Sequence, residues 1–133
     1  MNIVIWNANG LSQHLLEIKS FLYTNNVDLL LVSETHFTSK TYFEISNYKT
    51  YHTIHPDGTA HGGSAILVKS SIRHTELPKY QTDELQATSI EVQDGSGSLC
   101  ISALYSPPKH PLYNAIVPFQ KNCALCNSAL TKT

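Results

Sequence analysis

No stretch of this 133-residue chain approaches the roughly 18 consecutive apolar residues that a membrane-spanning helix needs. Nor does it open on a charged segment followed by a long apolar one, so no secretory leader is read here. A soluble, intracellular protein of the nucleus or cytoplasm is the expectation. Charge of one sign is missing too: nine Lys and Arg against ten Asp and Glu give a formal net charge of −1, with seven histidines counted as neutral. Without a basic field, charge alone advertises no nucleic-acid partner, although a bound metal can supply positive charge locally. Cysteine is sparse, with three residues at 100, 123 and 126, and an odd count without a leader favours a reducing compartment. Cys123 and Cys126 form a C-x-x-C, but two ligands cannot close a tetrahedral zinc site and no second pair exists. Internal repeats and low-complexity tracts are absent as well.

What is present suits one globular domain. The chain is 41% hydrophobic and 14% charged, outside the disordered range, and a chain of this length buries roughly two-thirds of its unfolded surface. Residues 2–6 are a β-branched and aromatic run, read as a buried strand. In residues 11–24, Leu11, Leu15, Ile18 and Leu22 lie on one helical face, with Asn25 and Asn26 ending it. "VDLLLVSET" then reads as a strand buried on both faces. Strand, helix and strand over this distance predict a βαβ unit with parallel strands.

Beyond it the period changes. "YKTYHTIH" alternates with period two, "PDGTAHGG" is a turn, and "SAILVKS" is a strand. "HTELPKYQTDEL" reads as loop. "QATSIEVQ" and "LCISALY" flank "DGSGS" as a hairpin, and Pro107 and Pro108 stop the last strand. Residues 111–133 form a poorly legible tail with a helical hint near Phe119 to Leu130. An α/β opening followed by antiparallel strands fits a layered sandwich of mixed sheets.

If strands 2–6 and 27–33 are parallel neighbours, their carboxyl ends share a crevice of the kind in which open α/β sheets bind ligands. Asn7 follows the first strand and Glu34 the second. One carboxylate with one or two amides suits Mg²⁺, which takes few carboxylates and leaves other positions to water and phosphate. The bland alternative is a solvated strand end and an Asn-Gly turn. His52, His55 and His61 invite a zinc reading, but their spacing matches no metal pattern, and His52 and His55 are expected on opposite faces. They are read as surface or partly buried polar residues.

"WNANGL", "SETHF" and "SALYSPP" resemble, in order and spacing, the first three motifs of the endonuclease/exonuclease/phosphatase superfamily. The closer resemblance is to the apurinic-like endonuclease domain of Jockey-like non-LTR retrotransposons, and "HGGSAILVKSSI" looks like the Gly-Gly-Ala-Ile strand of that domain. The resemblance covers about residues 1–110. It implies a DNase I-like fold, a four-layer α/β sandwich of two packed mixed sheets flanked by helices, of which this is the N-terminal part. It also implies Mg²⁺ (or Mn²⁺) as cofactor, DNA as substrate, and the reverse transcriptase domain of the same polyprotein as partner. Carried over by motif, Asn7 belongs to the amide network beside metal and phosphate. Glu34 matches the metal-binding glutamate, and Tyr105 the tyrosine beside the scissile phosphate. Asn9 stands where several relatives carry an aspartate and is read as substrate-binding. His36 falls where relatives vary.

The chain also departs from the pattern. Pro108 stands where cellular abasic-site enzymes often carry an Asn, and His61 where many relatives have an arginine. No Gly-Asp-x-Asn and no Ser-Asp-His motif occurs in these residues. The expectation is therefore a partial nuclease domain, inactive alone, whose inner sheet faces and strand edges stay partly exposed. The alternatives are a decayed, non-catalytic or merely nucleic-acid-binding remnant, or a phosphatase or phosphodiesterase of the same superfamily.

Overall fold

A computed structural model describes residues 1–109 together with residues 116, 118, 119 and 130–132. β1 (Ile3–Asn7) leads through a short 3₁₀ turn (Ser12–His14) into α1 (Leu15–Thr24) and then β2 (Leu29–Ser33). β1 and β2 pair in parallel, with Asn7 opposite Ser33, so the opening is the expected βαβ unit. β3 (Tyr48–Thr53) and β4 (Ser64–Lys69) complete an antiparallel addition, and the first sheet runs β1-β2-β4-β3.

The second sheet is built around the expected hairpin. β7 (Gln86–Asp94) and β8 (Gly97–Tyr105) pair along their whole length, with Asp94 opposite Gly97 across a two-residue turn. β5 (His74–Glu76) and β6 (Tyr80–Gln81) both pair with β7, so the segment read as loop contributes two short strands. Isolated pairs of residues in extended form carry no periodicity of their own, and it is β7 that recruits them. β9 (Leu130–Lys132) lies parallel to β8, which places Leu130 in a strand rather than in a helix. The rest of the proposed helix, residues 120–129, and the C-x-x-C lie outside the described residues.

Three layers follow from the side-chain pattern. Leu30 and Val32 of β2 pack with Ile18 and Leu22 of α1, while the alternate residues Leu29 and Leu31 turn the other way. There they meet Ile66 and Val68 of β4 and, from the second sheet, Ile90, Val92, Ile101 and Ala103. β2 is thus buried on both faces, as its unbroken apolar run requires. On the outer face of the second sheet, Ala87 and Leu104 pack with Leu85 and Phe119.

Two expectations need correction. β1 is an edge strand and not a buried one: Ile3 and Ile5 are 42% and 48% exposed, while Val4 and Trp6 turn toward the helix layer. The apolar composition that suggested burial is the same for an edge strand, because only neighbours decide burial. The inner faces of the sheets, in turn, cover one another in the middle of the molecule, because β2, β4, β7 and β8 all come from the first 105 residues. Exposed apolar surface lies along β1 instead. Cys100 is buried on β8.

Candidate active site

The carboxyl ends of β1, β2 and β8 and the amino ends of β4 and β7 converge on one end of the sandwich. Just beyond β1 and β2 the backbone is knitted together: the N–H groups of Ala8, Gly10 and Leu11 donate to the carbonyls of Ser33, Glu34 and Thr35 at 3.0, 2.8 and 2.9 Å. Three non-glycine residues here, Asn9, Glu34 and His36, are held at φ of 44°, 56° and 56°. Left-handed backbone is costly for side chains with a Cβ and concentrates where a structure must aim a group. The Glu34 carboxylate is half-buried here, with His36 Nε2 3.8 Å from its Oε2.

Gly62 and Gly63 close the site from the side of β4. The Thr35 and His36 N–H groups donate to the Gly63 and Gly62 carbonyls at 3.4 and 3.0 Å. Both glycines have positive φ, 57° and 87°, and a Cβ on either would be crowded. At Gly62 it would meet Gln86 Oε1 at 2.7 Å and the Tyr105 ring at 3.3 Å; at Gly63 it would meet Thr35 Oγ1 at 2.5 Å. The Gly-Gly pair is what lets Gln86 and the Tyr105 ring close on Gly62, and Thr35 on Gly63. Burial pushes the Tyr105 phenol above its ordinary value, and the Glu34 charge adds to the shift. Tyr105 therefore remains a protonated donor across the neutral range.

Gln86 is a site residue that sequence reasoning missed. It is fully buried and lies opposite Tyr105 in the β7–β8 register. Its Oε1 accepts from the Gly63 N–H at 3.0 Å and its Nε2 donates to the Thr82 carbonyl at 2.7 Å. Next to it the sheets are joined by hydroxyls: Thr88 Oγ1 lies 2.9 Å from Thr53 Oγ1 and 3.0 Å from Ser64 Oγ, all three buried. The signal was available in "QATSIEVQ", where Gln86 and Thr88 share a face with Ile90 and Val92. Polar groups on an otherwise apolar inner face must be hydrogen-bonded there.

The proposed residues are not all gathered into one cavity. Asn7 is exposed at the end of β1, opposite Ser33. Its Oδ1 accepts the Asn9 N–H at 3.1 Å, so the Asn turn chemistry weighed above is present too. Asn9 lines a shallow depression with Gly10, Ser12, Gln13, Thr35 and His36. Tyr105 instead lines a cleft with Gly62, His55, Asp57, His61, Asp83, Glu84, Pro107 and Lys109. Of the histidines, His52 packs edge-on against Phe37, with burial, and then Lys79, pushing its imidazole below the usual value. His55 and His61 do meet, on either side of Asp57. The sequence spacing hid this, because the third partner is an aspartate in the turn and not a third histidine.

Two facing sheets with this strand end define a DNase I-like endonuclease fold, present here in part. The chain superposes on the endonuclease domain of TRAS1, a telomere-specific non-LTR retrotransposon, with a TM-score of 0.69 at 14% identity, covering 97% of this chain and 58% of that one. On the AP endonuclease LMAP from Leishmania major the TM-score is 0.65 at 16% identity, covering 90% and 44%. The chain belongs to the endonuclease/exonuclease/phosphatase family, whose pattern matches residues 4–124. Its homologues include the RNA-directed DNA polymerase from mobile element jockey of Drosophila funebris, 34% identical over 109 residues. A second is the probable RNA-directed DNA polymerase from transposon X-element of Drosophila melanogaster, 33% identical over 110 residues. Each match covers 82% of this chain but only 12% of the relative.

Proposed function

We propose that the chain is the N-terminal part of a divalent-metal-dependent endonuclease domain of a Jockey-like retroelement polyprotein. The reaction is hydrolysis of a DNA phosphodiester, leaving a 3′-hydroxyl from which a reverse transcriptase domain of the same polyprotein primes synthesis. The observation that carries this reading is the chain of contacts that joins the three strand ends: Asn7 lies opposite Ser33, next to Glu34, the Thr35 N–H donates to the Gly63 carbonyl, and the Gly63 N–H donates to Gln86, which lies opposite Tyr105.

The carboxylate of Glu34, half-buried on left-handed backbone, is the hard oxygen donor that Mg²⁺ or Mn²⁺ prefers. Glu34 would hold the ion, which when bound supplies Lewis-acid polarisation of the phosphoryl group and stabilises the leaving oxygen. Tyr105, kept neutral, donates its phenolic proton as a hydrogen bond to a non-bridging phosphate oxygen, and Asn7 Nδ2 donates a second. Asn9, one turn away, binds the flanking backbone of the substrate. The attacking water needs a base, and the Gly-Asp-x-Asn and Ser-Asp-His motifs that the resemblance assigns to that part of the chemistry do not occur in these 133 residues. General-base catalysis is worth about 10²–10⁴ in rate, so activity requires the complementary half of a domain.

The test is to join this chain to the C-terminal half of a Jockey-type endonuclease domain and follow the nicking of supercoiled plasmid. Mg²⁺-dependent nicking is expected, and Glu34→Gln should lower it by orders of magnitude while weakening Mn²⁺ binding measured by electron paramagnetic resonance. Unchanged nicking by Glu34→Gln across a Mg²⁺ titration would remove the metal role from Glu34.

A further inference from the structure

The turn between β3 and β4 brings together three side chains that the nuclease reading leaves without a role. His55, Asp57 and His61 each offer one ligand atom, and these atoms all lie within 4.8 Å of one another. His55 Nδ1 is 3.2 Å from Asp57 Oδ1, His61 Nε2 is 3.1 Å from Asp57 Oδ2, and the two imidazole rings sit edge to face with centroids 4.0 Å apart. The carboxylate is pre-aligned: Asp57 Oδ1 accepts from both the N–H and the hydroxyl of Thr59 at 2.8 Å. The backbone closes the same loop, with Gly58 N–H donating to the His55 carbonyl and His61 N–H to the Thr59 carbonyl, each at 2.9 Å.

We propose that His55, Asp57 and His61 form a second metal site, for a zinc-type first-row divalent ion, at the rim of the Tyr105 cleft. Two imidazoles and one carboxylate are the donor set of open zinc centres, with three protein ligands and a remaining position for water or substrate. Imidazole selects such ions over Mg²⁺, whose preference for hard oxygen fits Glu34 instead. The location gives the ion something to do. The cleft is lined by Asp57, Asp83 and Glu84, against which Lys109 is the one permanently charged cation among its lining residues. A polyanionic backbone is repelled by that balance, and a bound dication neutralises it beside Tyr105.

Co²⁺ tests the proposal, because four- and five-coordinate Co²⁺ absorbs strongly in the visible and six-coordinate Co²⁺ on oxygen ligands hardly at all. The 133-residue chain, carrying Ile3→Lys and Ile5→Lys on its exposed edge strand for solubility and no polyhistidine tag, is titrated with Co²⁺ and then with Zn²⁺. One equivalent of a visible-absorbing Co²⁺ complex, bleached by Zn²⁺, is expected. His61→Gln and Asp57→Asn should each weaken binding by tenfold or more while far-ultraviolet circular dichroism stays unchanged. Glu34→Gln should leave it within twofold, which separates this site from the nuclease metal. Absorption that survives both His61→Gln and Asp57→Asn, absorption lost in Glu34→Gln, or none at up to about 1 mM Co²⁺, the weak end of specific affinity, overturns the proposal.

Discussion

At the scale of single residues, the balance between a structural and a chemical role is sharpest at Tyr105. Its ring packs beside Gly62 and Gln86, while its phenol is shifted upward by burial and by Glu34. Tyr105→Phe keeps the packing and removes one donor, so unfolding free energy should change by no more than about 1 kcal/mol. Nicking by the reconstituted domain should fall clearly in the same variant. A large stability loss with unchanged turnover would make Tyr105 a packing residue. His52 gives a second test, through pH. Its imidazole sits against Phe37, where burial and then Lys79 hold it below its ordinary value. The folded chain therefore binds fewer protons there than the unfolded chain. Stability from this group is complete above the unfolded value and is lost as pH falls through the lowered folded one. His52→Phe should flatten the fall in urea midpoint between about pH 7 and 5. An unchanged slope would place its source elsewhere.

Among the elements, the Gly62-Gly63 entrance to β4 is the joint on which the site depends. A methyl group at Gly63 would lie 2.5 Å from Thr35 Oγ1 and 3.2 Å from the Thr53 carbonyl, on a backbone at φ 87°. Backbone cannot yield as a flexible side-chain end can, so Gly63→Ala should destabilise by about 1–3 kcal/mol, the range for strain at such positions. Urea denaturation measures it, and a change within 0.5 kcal/mol, the scale of ordinary surface substitutions, would show that the joint relaxes freely. The inter-sheet core offers a comparison. Leu31→Ala empties a site among Ile66, Val68 and Ile101 and should cost about 2–5 kcal/mol without a backbone change. At this scale the sequence was legible where period and turn chemistry agreed, as in α1, β2 and the β7–β8 hairpin. It was illegible at β5 and β6, whose two or three residues become strands only because β7 is there to pair with them.

For the whole molecule, the exposed edge of β1 governs behaviour in solution. Ile3 and Ile5 stand 42% and 48% exposed, with Phe21 of the adjoining helix at 43%. An open strand with apolar side chains invites pairing with another chain. The chain expressed alone should therefore bind an apolar-surface dye, be poorly soluble, and show no Mg²⁺-dependent nicking above a buffer control. Ile3→Lys together with Ile5→Lys should raise solubility with little loss of stability, since neither side chain is buried. If solubility does not move, the edge is not the source of association. Robust nicking by the chain alone, abolished by Glu34→Gln, would mean that a base lies within these residues.

By itself the sequence determined the βαβ opening, the hairpin, the family and the nomination of Asn7, Glu34 and Tyr105, because helical period, strand alternation and motif order are local or nearly local properties. Only the tertiary structure decided which strand is an edge, since burial depends on what lies alongside. The same holds for Gln86, whose role exists through a contact with Gly63 23 residues away, and for the division of the site between the Tyr105 cleft and the Asn9 depression. It holds again for His55, Asp57 and His61, which spacing kept apart and the turn between β3 and β4 brings within ligand distance. The physical reason is common to all of them: a side chain's chemistry is set by neighbours that the chain reaches only by folding back on itself.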